Sequence, residues 1–441
     1  VLNKVGEKAP NVSDPEYFMN SFNAIQALIS NQKILAGHDV SAGGLITTLL
    51  EMTFASNQTG MNIDLDGFEE LDMIKILFSE KPAVVIQVVN ESAVFDKLEK
   101  ENINYRIIGT LSEKREFIVN FRNEVLDVDI DAYRDIWFKT SYLLDKNQSG
   151  EELALERYQH YKVQPLTFSF MAGFTGQVKQ YAINFEKRTS SGIKAAIIRE
   201  KGVNGDREMA YSLHLAGFDV KDVHMTDLVS GRETLQDIHF IVFVGGFSNS
   251  DVMGSGKGWA GAFLYNPKAK QALDDFYERQ DTLSLGVCNG CQLMTELNLI
   301  YPEYNDPVRM AVNDSGKFES KFLNVRIFEN HSVMLSSLEG AELGIWVAHG
   351  EGKFQLPLEE SDYSIPMKYS HHTYPGNPNG SDYDAACIAS PDGRHLAMMP
   401  HIERSIFPWQ WAHYPDENNH NEISPWMEAF VNAREWIKKN S

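Results

Sequence analysis

Cys288 stands in the segment whose residue types and spacing best support chemistry, LGVCNGCQ at 285–292. The apolar residues before it predict a strand that ends at the cysteine, and a helix is predicted to follow. Gly286 and Gly290 lie two residues to either side, where a Cβ atom would crowd the neighbouring strand and helix. This is the pattern of a nucleophile elbow, a sharp strand-to-helix turn that exposes one side chain. The helix N-terminus supplies positive potential, which favours the reactive thiolate.

Two backbone segments could stabilise the negative charge that develops when a thiolate attacks a carbonyl group. The N–H of Asn289 directly follows the cysteine and is expected to supply one donor of an oxyanion hole. The second donor is expected from Gly246 and Phe247, in the loop that follows a predicted strand at 240–244. Gln292 lies one turn into the predicted helix and is expected to face the substrate.

A thiolate nucleophile also needs a base that a third group holds in place. His401 and Glu403 lie two residues apart, so in an extended segment their side chains point to the same side. Glu403 would orient His401, and His401 would take the thiol proton and pass one to the departing ammonia. The elbow, the Gly-Gly loop and the His-x-Glu pair occur in the order that predicts a cysteine-dependent glutaminase.

Other interpretations of these cysteines stay open. A cysteine is often only a small buried side chain. Cys288 and Cys291 form a Cys-x-x-Cys pair at a helix start, as in thiol oxidoreductases, but that interpretation leaves Gly286, Gly290 and Gln292 without a role. A zinc site would need two more soft ligands, and Cys387 is the only other cysteine in the sequence.

The C-terminal region has the alternating pattern that could position this site. Strands are predicted at 195–198, 220–225, 240–244 and 283–287, and helices at 206–217, 268–279 and 292–297. Strand-helix alternation predicts a parallel sheet covered by helices, and ligands bind such sheets at the carboxyl ends of the strands. We assign residues 191–441 to this α/β domain.

The preceding residues differ in texture. Residues 1–125 mix helical patterns at 15–29 and 45–54 with a run at 84–89 that predicts a buried strand. Residues 126–190 contain two predicted helices, 129–144 and 151–161, and a polar linker is predicted at 189–192, where this region meets the next one. We therefore expect an α+β region at 1–125 and a helical connector at 126–190.

Composition limits the function classes. The formal net charge is −21, so the phosphate backbone of a nucleic acid would be repelled and no nucleic-acid partner is expected. Three cysteines in 441 residues do not make a disulfide framework. The start at 1–4 has no leader pattern, and no apolar run approaches the roughly 20 residues of a membrane span. We expect a cytoplasmic protein with no membrane partner; the first residue, Val1, suggests a piece of something longer.

Further motifs make residues 193 to about 412 resemble one family. They are REKGVNG at 199–205, DVHMTDL at 222–228, GGFS at 245–248, GKGWA at 256–260, the elbow itself, HGEG at 349–352, NPNGS at 377–381 and MPHIER at 399–404. In this order they resemble the glutaminase domain of the large, single-chain phosphoribosylformylglycinamidine synthases. Other class I amidotransferases would share only the elbow and the His-x-Glu pair. The departures are Ile402 for a usual Pro, Asn249-Ser250 for Tyr-Gly, and Lys257 for Glu.

This resemblance implies a flavodoxin-like class I glutaminase domain with a mainly parallel central sheet and a triad of Cys288, His401 and Glu403. The ammonia would serve the ATP-dependent conversion of formylglycinamide ribonucleotide to formylglycinamidine ribonucleotide in purine biosynthesis. The glutaminase itself would need no cofactor, whereas the full-length enzyme uses ATP and magnesium. The implied partners are glutamine and the rest of the synthetase polypeptide. The alternatives are a glutaminase of another class I amidotransferase, the thiol oxidoreductase described above, and a folded half that is not catalytic alone. Asn313, His349 and Glu351 are further polar candidates.

The first region resembles the C-terminal part of the family's second synthetase-like module. The resemblance rests on His38-Asp39-Val40-Ser41-Ala42-Gly43-Gly44. It implies Asp39 as a magnesium ligand and Ser41 as a contact to an auxiliary nucleotide.

Overall fold

The chain divides into two compact units, Val1–Ser141 and Tyr142–Ser441, in the computed structural model. The structure describes residues 11–89, 91–186 and 189–440. The opening residues 1–4, on which the expectation about a leader depends, lie outside them. Within the described ranges, no helix is long and apolar enough to cross a bilayer.

Helices and strands occur throughout both units. The helices are α1 (Pro15–Ser30), α2 (Gly44–Phe54), α3 (Met73–Leu77), α4 (Glu91–Lys100), α5 (Ile130–His160), α6 (Asp206–Ala216), α7 (Met225–Ser230), α8 (Lys257–Leu264), α9 (Pro267–Glu278), α10 (Asn289–Glu296) and α11 (Met427–Asn440). The strands are β1 (Ile34–Asp39), β2 (Gly60–Asp64), β3 (Val84–Val88), β4 (Gly109–Ser112), β5 (Phe117–Phe121), β6 (Glu124–Val128), β7 (Lys194–Arg199), β8 (Asp219–His224), β9 (Phe240–Phe243), β10 (Leu283–Val287), β11 (Arg309–Ala311), β12 (Glu319–Ile327), β13 (Glu342–His349), β14 (Lys353–Gln355), β15 (Ser364–Tyr369), β16 (Ala385–Ala389) and β17 (His395–Met398). Helix α5 is interrupted at Gly150, whose φ of 81° and ψ of 168° are not helical.

The first unit is an α+β fold, as the sequence predicts. Four strands form a sheet in the order β4-β2-β5-β6, in which β2 and β5 are parallel. Phe117, Val119 and Phe121 alternate with more exposed residues along β5 and share a core with Leu49 and Phe54 of α2. This two-residue period buries one face of the sheet.

Strand β3 is present, but the expectation that it is buried is wrong. Val84 is 51% exposed and Val89, just beyond the strand, is 75% exposed. The reason is that β3 pairs only with β1, in a two-stranded antiparallel sheet. The apolar run therefore predicts the strand but not its surroundings.

The second unit is built on a nine-stranded sheet in the order β13-β12-β15-β16-β17-β10-β9-β7-β8. The strands from β17 to β8 are parallel to their neighbours, which confirms the α/β class with a parallel core. Every residue of β9 and β10 is buried, as expected where helices cover both faces.

Helix α9 illustrates why these segments form covering helices. Ala269, Ala272, Leu273 and Phe276 are buried, at the spacing of one helical face. The Asn266 side chain caps the helix by accepting the N–H groups of residues 268 and 269. The sequence therefore determines both the start of this helix and the face that packs inward.

The sheet also continues beyond the parallel core. Strands β16, β15, β12 and β13 extend it through antiparallel pairs. No strand is predicted from the sequence over 319–398. Since β17 belongs to this stretch, its place beside β10 is not predicted either.

Candidate active site

Cys288 lies between β10 and α10, as the elbow pattern predicts. Its φ of 52° and ψ of −108° are unfavourable for a residue with a side chain. A Cβ on Gly290 would lie 2.0 Å from the carbonyl oxygen of Phe243, and one on Gly286 would lie 2.6 Å from that of Gly290. Close packing between strand and helix therefore requires both glycines.

His401 lies beside Cys288 because their strands are parallel neighbours. Val287 of β10 pairs with Met398 of β17, and the Cys288 N–H donates to the Met398 carbonyl over 2.9 Å. A Cβ added to Gly245 would lie 2.8 Å from Cε1 of His401 and 3.4 Å from Cβ of Cys288. Both side chains thus lie over this glycine at the carboxyl edge of the sheet.

Glu403 holds the imidazole from its other side. Nδ1 of His401 lies 2.7 Å from Oε1 of Glu403, and the two side chains are 2% and 1% exposed. Burial disfavours a charged imidazole, but the charge of Glu403 and hydrogen bonds with Cys288 and Glu403 outweigh it and raise the pKa of His401 to about 10. The site therefore favours an imidazolium between Cys288 and a carboxylate.

The local backbone differs from the extended segment that the sequence predicts. His401 is extended, but Ile402–Arg404 forms a 3-10 turn closed by the Ser405 N–H, which donates to the Ile402 carbonyl over 3.1 Å. The extended prediction is wrong beyond His401. The turn, rather than a strand period, brings the carboxylate to the imidazole.

In the loop after β9, the backbone N–H groups of Gly246 and Phe247 differ in whether they already donate a hydrogen bond. The Phe247 N–H donates to the Gly202 carbonyl over 2.9 Å. Within the described residues, the Gly246 N–H has no hydrogen-bond acceptor. Gly246 has a φ of 133°, and a Cβ there would lie 2.4 Å from Cα of Val203, so only glycine fits. Of the two, Gly246 has the available N–H.

Gln292 is occupied by protein contacts rather than left open. Its Nε2 donates to the Glu351 carbonyl over 2.7 Å, and its Oε1 accepts from the Asn289 amide over 2.9 Å. The Asn289 Oδ1 in turn accepts the Ser248 N–H over 3.1 Å. Gln292 therefore joins α10 to the segment at 349–352 and, through Asn289, to the loop after β9.

Asn313 organises the segment at 349–352. Its side-chain amide donates to the carbonyls of Lys317 and His349 over 3.0 and 2.8 Å, and its Oδ1 accepts the Gly352 N–H over 2.8 Å. Burial, together with the nearby charge of His401, lowers the pKa of His349 to about 3. His349 is therefore a neutral imidazole close to His401.

Asp251 is a carboxylate that the sequence analysis did not select. It lies near Glu351, whose Oε2 accepts the Ser255 N–H over 3.2 Å. Burial, and to a lesser extent the charge of Glu351, raise the pKa of Asp251. In the sequence, its position just after the Gly-Gly loop was the signal that could have identified it as a site residue.

The backbone of this loop is left-handed at three successive residues. Asn249, Ser250 and Asp251 have φ values of 52°, 58° and 50°, so Ser250 keeps a left-handed backbone at the position where the family that this sequence resembles usually has glycine.

All three cysteines are free thiols. Cys291 is 0% exposed, and burial raises its pKa well above the ordinary value. Burial also raises the pKa of Cys387. The Cys-x-x-Cys interpretation therefore lacks an accessible second thiolate.

In the first unit, Asp39 is the last residue of β1 and Ser41 lies between β1 and α2, and both are exposed. The Asp39 side chain is 75% exposed, and the Gly43 N–H is taken by Oε1 of Glu80 at 2.9 Å. Among the residues that the structure describes, no group of three carboxylate, histidine or cysteine side chains could hold a metal ion. The donors present do not by themselves fit magnesium.

Comparison with known proteins identifies the class. The profile of the CobB/CobQ-like glutamine amidotransferase domain matches residues 192–437, and that of the C-terminal domain of AIR synthase related proteins matches residues 2–121. The chain belongs to the CobB/CobQ-like glutamine amidotransferase family.

Its similar relatives are phosphoribosylformylglycinamidine synthases, which confirms the resemblance seen in the sequence. The chain is 37% identical to the probable chloroplastic/mitochondrial enzyme of Arabidopsis thaliana, with 99% of this chain and 32% of that protein covered. It is 36% identical to the Dictyostelium discoideum enzyme, with 98% and 35% covered, and 36% identical to that of Homo sapiens, with 100% and 35% covered. The chain thus spans about a third of the length of these relatives.

Proposed function

We propose that Cys288, His401 and Glu403 form the catalytic triad of a glutaminase. The observation that carries the proposal is the buried His401 imidazole, which lies beside Cys288 and 2.7 Å from Glu403. The sharp strand-to-helix turn at Cys288 is explained without any other nucleophile or base. The proposal also accounts for the left-handed backbone at Cys288, since strain of this kind is retained where a function requires it.

The proposed reaction proceeds in two steps. The Cys288 sulfur attacks the side-chain amide carbon of glutamine, and the thiol proton held by His401 passes to the nitrogen, which leaves as ammonia. A glutamyl thioester remains on Cys288. Water then attacks it while His401 accepts a proton, and the C–S bond breaks to release glutamate and restore the thiol. Glu403 stabilises the imidazolium in both steps.

Gly246 and Asn289 are the proposed oxyanion donors. Both backbone N–H groups belong to segments that border Cys288, and the Gly246 N–H has no acceptor within the described residues. Phe247 would have to release the Gly202 carbonyl before its own N–H could contribute. We therefore assign Phe247 to the wall of the site, and Gln292 to the support of that wall.

Asp251 and Glu351 are proposed to recognise the substrate's α-ammonium group. Gln292 contacts the backbone carbonyl of Glu351, and the charge of Glu351 acts on the nearby Asp251 carboxyl group. Glutamine carries a positive charge at its α-nitrogen. A pair of carboxylates at this edge would distinguish the free amino acid from a glutamine within a peptide.

The wider role is also a proposal. By analogy with the named relatives, the ammonia serves the ATP-dependent conversion of formylglycinamide ribonucleotide to formylglycinamidine ribonucleotide in purine biosynthesis. ATP and magnesium would act in the remaining part of the polypeptide, which is the proposed partner. We propose a synthetase-like region at 1–125, a connector at 126–190 and the glutaminase domain at 191–441, in a cytoplasmic protein; the matches at 2–121 and 192–437 support the two outer assignments.

Ammonia release by a Cys288→Ser variant tests the proposal. The oxygen nucleophile should abolish glutamine hydrolysis, whereas Cys387→Ser, in a buried strand, should retain it at temperatures where the protein is folded. Hydrolysis that persists in Cys288→Ser would exclude the mechanism.

A further inference from the structure

Asp145 is a buried carboxylate on α5, outside the residues that the amidotransferase profile matches. Its side chain is 5% exposed and lies 2.6 Å from Nζ of Lys317 and 3.2 Å from Nη1 of Arg157. The Ser149 hydroxyl donates to it over 2.8 Å. Two cations and a hydroxyl therefore converge on one carboxylate, on a helix to which the glutaminase chemistry assigns no role.

The protein stabilises the charge at this position. Burial by itself would raise the pKa of Asp145, but hydrogen bonds from Lys317, Ser149 and Arg157 and the charge of Lys317 hold it below its ordinary value. Lys317 also lies over the Tyr374 ring, 5.9 Å from its centroid. Its ammonium group is thus fixed between a carboxylate and an aromatic face.

Lys317 is connected to one wall of the proposed glutamine site through its backbone. The Lys317 carbonyl accepts from Asn313, and the same amide group holds the His349 carbonyl and the Gly352 N–H. The backbone carbonyl of Glu351, which lies between those two residues in the chain, accepts from Gln292 on the elbow helix. A shift of the segment at 313–318 would therefore also shift the segment at 349–352, which contacts Gln292 of α10.

The next residue reaches the opposite wall. The Phe318 ring packs on the Phe247 ring with centroids 5.9 Å apart and an interplanar angle of 37°. Both side chains are about half exposed, at 47% and 46%. Phe247 directly follows Gly246, so this contact bears on the loop that carries the proposed oxyanion donor. One short segment thus contacts both sides of the site.

We infer that Asp145 and Lys317 are positioning residues for glutamine capture. Their ion pair fixes the segment at 313–318, which holds the loop after β9 on one side and the segment at 349–352 on the other. The inference rests on the proposed glutaminase function. It assigns to the connector a direct part in shaping a site that the amidotransferase domain does not complete alone.

Two reagents that alkylate the same thiol test this inference. A glutamine-mimicking diazoketone must occupy the substrate site, whereas iodoacetamide needs only access to Cys288. Asp145→Asn should slow labelling by the diazoketone roughly tenfold to a hundredfold, the range expected when a reacting group is displaced by about an ångström. Labelling by iodoacetamide should change less than about twofold by the same reasoning. A purely structural role would not separate the two rates.

Two further variants keep the test decisive. Lys317→Met preserves the side-chain stem and leaves Asp145 with Arg157 and Ser149, so it should fold and show the same selective loss. Lys317→Arg keeps the charge and should recover most of the diazoketone rate. Asp392→Asn is the matched control, because its ion pair with Arg394 lies before β17, at the other end of that strand from His401.

The outcomes separate the inference from the proposed function. If the unmodified protein is not labelled at Cys288 by the diazoketone, the glutaminase proposal fails. If that labelling occurs but Lys317→Met slows both reagents equally, or neither, the positioning role is overturned. Should Asp145→Asn not fold, the two Lys317 variants decide.

Discussion

Nδ1 of His401 lies 2.7 Å from Oε1 of Glu403, in a pocket where both side chains are almost completely buried. A buried imidazolium is costly unless an opposite charge accompanies it. The pair therefore explains how a histidine at this depth can hold a proton, as the proposed mechanism requires. Replacing Glu403 by a residue of the same shape should therefore lower the activity while the fold is kept.

Glu403→Gln should lower the rate constant for glutamine hydrolysis by roughly ten-thousandfold, comparable to the loss of the orienting carboxylate in other triads. The amide keeps the shape of the side chain but no longer stabilises the imidazolium. Steady-state ammonia release measures the effect, with Glu428→Gln as a control because Glu428 contacts Ser337 and Tyr181 instead of the site. Unchanged kcat in Glu403→Gln would remove Glu403 from the mechanism.

Glu351→Gln and Asp251→Asn should raise KM for glutamine by about tenfold while kcat changes little, since uniform binding is lost. The reason is that each change removes a charge proposed to face the α-ammonium group. Kinetics with glutamine test this, and an analogue that lacks the α-amino group should be hydrolysed equally by variant and unmodified protein. A fall in kcat with KM unchanged would assign these carboxylates another role.

Gly290→Ala should destabilise the fold by about 2 kcal/mol or more, because overpacking typically costs 1–3 kcal/mol and this Cβ would meet backbone. Its Cβ would lie 2.0 Å from the Phe243 carbonyl oxygen. Gly261→Ala, in α8, is the matched control: its Cβ would make only ordinary contacts, at 3.8 Å from the Tyr265 ring. Urea unfolding should show the control to be unchanged or more stable, as expected for alanine in a helix. Equal stabilities for both variants would contradict the elbow packing.

The free energy of unfolding should decrease in acid because His395, at the start of β17, becomes protonated. Its Nδ1 lies 2.9 Å from the Ser284 hydroxyl, and burial, followed by the charge of Arg394, lowers its pKa to about 4. The unfolded chain binds this proton near pH 6.5, so the stabilisation is present above that pH and is lost as pH falls toward 4. The loss should approach about 3 kcal/mol, because one pKa unit is worth about 1.4 kcal/mol.

Urea unfolding of His395→Gln between pH 7 and pH 4 checks this linkage. The variant should be less stable at neutral pH but lose less stability in acid. His349, whose pKa is also lowered, contributes with the same sign and should leave a residual slope in the variant. Parallel pH profiles for the two proteins would contradict the assignment.

The sequence predicts the edge of the sheet that carries Cys288, because the signals for it are local. Continuous apolar runs identify β9 and β10, and the glycines around Cys288 identify the turn, since both follow from packing within a few residues. Strand β17, which brings His401 beside Cys288, is not predicted, so the pairing of these two residues was expected only from the His-x-Glu motif.

The remaining features depend on contacts between distant segments. The antiparallel strands from β12 to β16 were not predicted, since their neighbours are set by the sheet order rather than by local pattern. The engagement of Gln292 with the Glu351 carbonyl and the ion pair of Asp145 with Lys317 join residues far apart in the chain. Nothing in the local sequence indicates such partners.

Mapping the site of diazoketone attachment by mass spectrometry tests the central claim most directly. The glutaminase mechanism predicts one label, on Cys288, that excess glutamine prevents and that Cys288→Ser abolishes. Cys291 and Cys387 are both buried and should remain unmodified. A label that forms on either of them instead, or one on Cys288 that glutamine does not slow, would contradict the mechanism.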